Sequence, residues 1–316
     1  MRPGAESLAA PRVRRSLLRD ASVNWQLHLL LLLPLLYLLI FKYVPMWGAQ
    51  IAFRDFFAVQ GIVGSPWVGM ANFDRFFESP QFWTVLRNTL GLSAYQIAAS
   101  FPIPVILALA LNNVEHRRFK KTVQLTTYAP HFISTVVMAG MIMRFLALHT
   151  GVVNNALEAV GLGRISFMSS PELFQSVYVI SGIWQNAGWG TIIYLAALAG
   201  VDPQLHEAAI VDGATKLQRT RHIDVPGILP VAIILLILET GRIMQVGFEK
   251  AFLLQTPLNL TTSEVIQTYV YKIGLASPVP DYSFATAIGL FNSVINLALI
   301  LVVNWLARRL SDTSLW

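Results

Sequence analysis

Few residues of this chain could do chemistry, and most of them sit in apolar surroundings. Glu239, Arg242 and Gln245 follow one another in steps of three inside the apolar run 227–253, which places them roughly on one helical face. Charges at membrane depth are costly and generally face the interior of a bundle. Two readings follow: a structural Glu239–Arg242 pair, or polar groups lining a cavity. In a second run, 173–200, Trp184-Gln185-Asn186 lies near the middle, with Trp189 beyond. Amides there need partners in protein or water, and either bridge helices or line a pathway. Trp184, Asn186, Glu239, Arg242 and Gln245 are therefore the candidate pathway set, able to hydrogen-bond hydroxyls or carboxylates and to stack on a solute.

Catalysis and metal binding have no candidates. His28, His116, His131, His149, His206 and His222 are scattered, and cysteine is absent, as are G-x-x-x-x-G-K-[ST], H-E-x-x-H and G-x-S-x-G. These patterns carry phosphate, zinc and acyl-transfer chemistry, and the lack of cysteine excludes disulfides and thiolate sites. Any energy source belongs to a partner.

The elements that must position these residues are membrane helices. Of 316 residues, 55% are hydrophobic and 13% charged, against roughly 25% charged in soluble domains. A spanning helix takes about 20 mostly apolar residues, and six such runs occur, at about 25–44, 89–111, 123–148, 173–200, 227–253 and 284–307. The expectation is an all-α membrane protein of about six transmembrane helices, with a basic segment at 1–24, a membrane domain at 25–308 and a tail at 309–316. Arg14 and Arg15 precede the first run, as in a signal peptide, but the run fills a whole span and lacks a small-residue cleavage pattern at its exit. The connections 1–23, 112–122 and 201–226 and the C-terminal end carry fourteen Lys and Arg, against five in 45–88, 149–172 and 254–282. Positive charge stays in the cytoplasm, so both termini are expected there. The formal charge of +6 is a topology signal and an attraction to anionic lipid, not a nucleic-acid surface.

One expected cytoplasmic connection is worded unlike the others: 207-EAAIVDGATKLQRTRHIDVP-226. It reads as two short amphipathic helices, one from Glu207 to Val211 and one from Lys216 onward, separated by Asp212-Gly213-Ala214. Gly213 can take a positive φ, and Pro226 suits the first turn of the following span. A small knob continuous with a transmembrane helix can transmit a rigid-body movement. On the other side of the membrane, WVGMANFDRFFESPQFWTVLRNTL mixes aromatic and charged residues, which favours an interfacial helix broken at Pro80; a sugar-stacking surface is the other reading. The connection 254–282 is long for a simple link, a length that often carries binding roles.

E-A-A, three residues, G, nine residues, I-x-V-P resembles the coupling motif of ABC importer permeases, with Val225 where leucine is usual. Upstream, LAALAGVDPQLHEAAIVDGA resembles the signature of the carbohydrate-uptake, maltose-type branch. The segments 72–90 and 282–305 extend the likeness, and FKYVPMWGAQIAFRDF (41–56) is similar to the polysaccharide subgroup, a resemblance that implies one permease of an alginate importer. The resemblance implies the ABC importer permease fold in the bacterial cytoplasmic (inner) membrane, paired with a second homologous permease. It also implies two ATPase subunits carrying ATP and Mg, no cofactor on this chain, and a solute-binding protein delivering oligosaccharide or polysaccharide. Glu207, Ala208, Ala209, Asp212, Gly213, Ile223 and Pro226 would be the ATPase-coupling residues. A secondary transporter of a small solute is the alternative, but it would tend to show broken helices in internal repeats, and no convincing repeat is present. A membrane enzyme would need a convergent catalytic set, and a purely structural assembly subunit is the third class.

Overall fold

The computed structural model describes residues 24–241, 243–244 and 247–310. Among the described residues the chain is helix and loop without a strand, apart from one isolated bridge between Arg54 and Trp67. The chain forms two compact units, one ending at Gln50 and one starting at Ile51. The expected segments 1–24 and 309–316 lie outside the described residues except for Asn24 and the end of the last helix at Leu310.

In the first unit, α1 (Trp25–Leu38) runs through a wider turn at Leu39–Tyr43 into Val44–Met46. Its leucines are exposed all round and Pro34 lies inside it. An apolar surface on every side is what lipid accepts, and a proline is tolerated where the freed carbonyl finds other partners.

In the second unit a short helical turn at Gly61–Gly64 precedes α2 (Ala71–Glu78), α3 (Gln81–Ser100) and α4 (Pro102–Asn112). Next come α5 (Arg117–Tyr128), α6 (Thr135–Phe145), a short helix at Val152–Ala159, α7 (Pro171–Ala199) and α8 (Pro203–Val211). The chain continues through α9 (Lys216–Thr240), α10 (Phe248–Leu254) and α11 (Ile266–Tyr271), and ends in α12 (Tyr282–Leu310).

Among the described residues four helices are long and apolar enough to cross a membrane: Trp25–Phe53, Gln81–Asn112, Lys216–Thr240 and Tyr282–Trp305. A fifth is reached if α5 and α6, bent by 102° at their junction, are one broken span. The expected run 123–148 is therefore not one rod. Pro130 offers no backbone donor, and Ser134 restarts the helix by accepting from the Val137 amide. The run 173–200 is a single helix of 29 residues, long enough to cross at about 1.5 Å per residue but less apolar, because Gln185, Asn186 and three glycines interrupt it. The run 227–253 stops at Thr240, and the stretch from Gly241 to Gly247 separates it from α10.

Helix α7 is the hub, packed against α3, α4, α5 and α9. Its contact with α5 depends on Gly188: a Cβ there would lie 2.1 Å from the Thr127 carbonyl oxygen. Membrane helices associate through such small-residue approaches, because lipid is as apolar as a leucine side chain. One core cluster joins Leu92, Met138, Tyr178, Leu254 and Val265, and another joins Phe76, Phe82, Ile266, Phe284 and Ile288.

The aromatic segment 72–90 does break before Pro80, but it is not wholly interfacial. Phe73 and Phe76 are buried, and Phe76 meets Phe82, Phe284 and Phe291 edge-on, while Phe77 and Trp83 stay exposed. The long connection 254–282 also turns inward. Val265 and Ile266 are fully buried, the Ile266 amide donates to Thr89 Oγ1 at 2.9 Å, and Asn88 Nδ2 donates to the carbonyls of Thr261 and Glu264 at 3.0 Å each.

Candidate functional site

The knob at 202–226 is built by local chemistry. The Asp202 carboxylate accepts from the Gln204 amide at 2.9 Å and Pro203 follows at the first helical position, a combination that starts α8 cleanly. At the other end Gly213 has φ 80°. The Ala214 amide donates to the Ala209 carbonyl at 2.8 Å and the Gly213 amide to the Ile210 carbonyl at 3.0 Å, the glycine-terminated stop that satisfies a helix's last carbonyls. Thr215 restarts the chain: Gln218 Oε1 accepts from the Thr215 amide at 2.7 Å, and Thr215 Oγ1 accepts from the Gln218 amide at 3.3 Å, a reciprocal cap.

From there the helix passes a wide turn at Thr220–Asp224 and continues to Thr240. Pro226 lacks a donor and its ring crowds the carbonyl four residues back; the wider turn just before it relieves both. The two-piece knob is thus present, with its reversal at 212–214 and its second piece continuous with a span, although its first helix begins at Pro203 and not at Glu207. Glu207, Ala208, Asp212, Gly213 and Pro226 are exposed; Ala209 and Ile223 are half-buried. Leu205, Ile210, Val211 and Leu217 expose apolar side chains on the same knob, Val211 at 87% and Leu217 at 78%.

Contacts not singled out from sequence hold the knob together. Asp224, 2% exposed, has Oδ1 3.2 Å from His206 Nε2 on α8 and accepts from Asn112 Nδ2 at the end of α4 at 3.4 Å. Asn113 Nδ2 donates to Thr220 Oγ1 at 2.9 Å, and Lys216 pairs with Glu115 at 2.5 Å. That hydrogen bond, and after it the Lys216 charge, holds the Glu115 carboxyl below its ordinary range. The start of α9 is therefore tied both to α8 and to the end of α4. The signal in the sequence was a carboxylate set between Ile223 and Val225, where a buried charge must find partners.

The pathway candidates fall in different places. Asn186 lines a polar cavity of about 250 Å³ together with Gln96, Gly182, Gln185, Glu249 and Lys250. Its Oδ1 is 3.1 Å from His131 Nδ1, and the His131 ring stacks on Trp189 with centroids 4.5 Å apart. Gln185 Nε2 donates to the Ile133 carbonyl at 2.9 Å, bridging α7 to the break between α5 and α6. Trp184 opens instead on an apolar groove of about 600 Å³ with Met138, Phe145 and Ile180, since residues two apart point about 200° from each other on a helix. Glu239 is exposed near the end of α9. Arg242 and Gln245 lie outside the described residues. Lys250 was missed, although the rule that drew attention to Glu239 applies equally to a lysine in the run 227–253.

The family model for the binding-protein-dependent transport system inner membrane component matches residues 84–312. The polygalacturonan/rhamnogalacturonan transport system permease protein YteP of Bacillus subtilis (strain 168) is 41% identical over 303 residues, covering 96% of this chain and 94% of that protein. The crystal structure of a bacterial ABC transporter involved in the import of the acidic polysaccharide alginate contains a similar chain, with TM-score 0.86 and 41% identity over 93% of this chain and 99% of that one. A structure of the bacterial alginate ABC transporter in complex with an alginate pentasaccharide-bound periplasmic protein gives TM-score 0.87 and 40% identity, covering 95% of this chain and 100% of the other. With the match spanning most of its length, the chain belongs to the binding-protein-dependent transport system inner membrane component family, as a multi-pass permease of an ABC importer.

Proposed function

We propose that this permease forms the membrane path of an ATP-driven importer of oligosaccharide or polysaccharide, and that the knob at 202–226 couples it to separate ATPase subunits. The exposed knob carries the reading. It presents Leu205, Ile210, Val211 and Leu217 to solvent on a frame continuous with α9, and exposed apolar patches of this kind mark interaction sites. Glu207 supplies a charged contact, and Ala208 and Ala209 allow close approach of the partner. A push on the knob moves α9 as a rod and draws α4 with it through Asn112 and Asn113.

The partners are a second homologous permease, two ATPase subunits carrying ATP and Mg, and a solute-binding protein; this chain itself binds no cofactor. The excess of Lys and Arg in the connections that include the knob supports a cytoplasmic position for it and for both termini. Asn186 is the pathway residue with most support, beside Glu239, Arg242, Gln245 and Trp184. The substrates named for YteP and for the alginate transporters support a saccharide cargo.

The test is ATP hydrolysis by the reconstituted complex, supplied with its binding protein and a panel of neutral and acidic oligosaccharides. Stimulation by one class is expected. Hydrolysis indifferent to every saccharide, or uptake that persists without ATP on an ion gradient, would return the secondary-transporter alternative.

A further inference from the structure

Resting on the saccharide reading, we infer that the cavity between α3, α7 and α10 is a subsite for the carboxylate of an acidic sugar and that Lys250 binds it. Lys250 is 8% exposed. Its Nζ donates to the Tyr178 carbonyl at 2.7 Å and lies 4.7 Å from the centroid of the Tyr178 ring. An ammonium carries three donors. Among the described residues the other two have no acceptor, and Lys250 belongs to none of the ion pairs. A desolvated cation with one neutral hydrogen bond is under-compensated, so it gains most from an anion that enters beside it.

The surroundings suit a sugar acid. A Cβ at Gly182 would lie 3.2 Å from Nζ, so the bare glycine leaves room for the ammonium and for what approaches it. Gln96, Gln185 and Asn186 border the same cavity, and amides both donate to and accept from hydroxyls. Glu249, the other charged group bordering it, can accept from a hydroxyl but repels a second carboxylate. The volume of about 250 Å³ is just below the roughly 300 Å³ where ligand pockets begin, the scale of single sugar units taken in turn. A neutral sugar offers Lys250 only hydroxyl acceptors. A uronate offers a charge-assisted hydrogen bond, about twice as strong as a neutral one.

The experiment uses the complete complex of permeases, ATPase subunits and binding protein, and compares a tetrauronate with its methyl ester. The binding protein is unchanged throughout, so the quantity read is how the acid-to-ester ratio of stimulated hydrolysis changes between variants. In Lys250→Met the ratio should fall about ten-fold or more, while Lys250→Arg keeps it. A wild-type ratio in Lys250→Met overturns the subsite. If Lys250→Met fails to assemble with the ATPase, carbodiimide coupling of the tetrauronate to the wild-type complex decides: saccharide amide-linked to Lys250 supports the assignment, and its absence overturns it. A wild-type complex stimulated only by neutral saccharides overturns the subsite and leaves the saccharide reading standing. One stimulated by no saccharide overturns that reading, and the subsite with it.

Discussion

His206 Nε2 lies 3.2 Å from Asp224 Oδ1, across the reversal that joins α8 to α9. The contact ties the two helices of the knob together beyond the turn at 212–214. Asp224→Ala removes the acceptor of both His206 and Asn112, which loosens α9 from α8 and from the end of α4. The expected result is a complex that assembles and hydrolyses ATP at its basal rate, with the saccharide-stimulated increment reduced about ten-fold. Asp224→Asn keeps an acceptor oxygen and should retain most of the increment. Full stimulation in the alanine variant would show that the knob does not need this tie.

Gly213 is constrained by backbone conformation alone, since a Cβ there meets nothing within 4 Å at φ 80°. The left-handed conformation costs a non-glycine residue roughly 1–2 kcal/mol, and asparagine tolerates it best. Gly213→Val, β-branched and ill-suited to positive φ, should insert normally in the membrane but lose uptake and substrate-stimulated hydrolysis. Gly213→Asn should remain close to wild type. Equal transport by all three would mean that the angle between α8 and α9 does not govern coupling.

Membrane orientation can be read with single cysteines, because the chain has none of its own. Val279 is 82% exposed and Val211 is 87% exposed, at opposite signs of the Lys and Arg asymmetry. Cysteine at Val279 should react with an impermeant maleimide on spheroplasts, and cysteine at Val211 only after permeabilisation. The reverse pattern would invert the assignment of the knob to the cytoplasm.

Gly188→Ala tests the close approach of α7 to α5. The new Cβ would lie 2.1 Å from the Thr127 carbonyl oxygen, and backbone cannot swing aside as a side-chain tip can, so α5 and α7 must separate. A loss of about 1–3 kcal/mol is expected, read as a lower Tm of the detergent-purified complex. Gly140→Ala is the control, with nothing within 4 Å of its Cβ. Matching melting curves for the two variants would dismiss Gly188 as a packing determinant.

The features legible from residues alone are those set within a few positions of chain. Apolar runs locate membrane helices because about 20 residues of hydrocarbon match the bilayer whatever surrounds them. The reversal at 212–214 follows from Gly213, and the restart at Thr215 from its exchange with Gln218, both closed within five residues. The six apolar runs could not show the break at Ile133–Ser134, the stop at Thr240, the parting of Trp184 from Asn186, the burial of Phe76, or the place of Lys250 beside Tyr178. In a water-soluble helix an apolar stripe reveals which side is buried. In a bilayer the lipid-facing and protein-facing sides are both apolar, and helices meet by shape and small-residue fit, so only the tertiary structure decided which side chains look inward and what they face there.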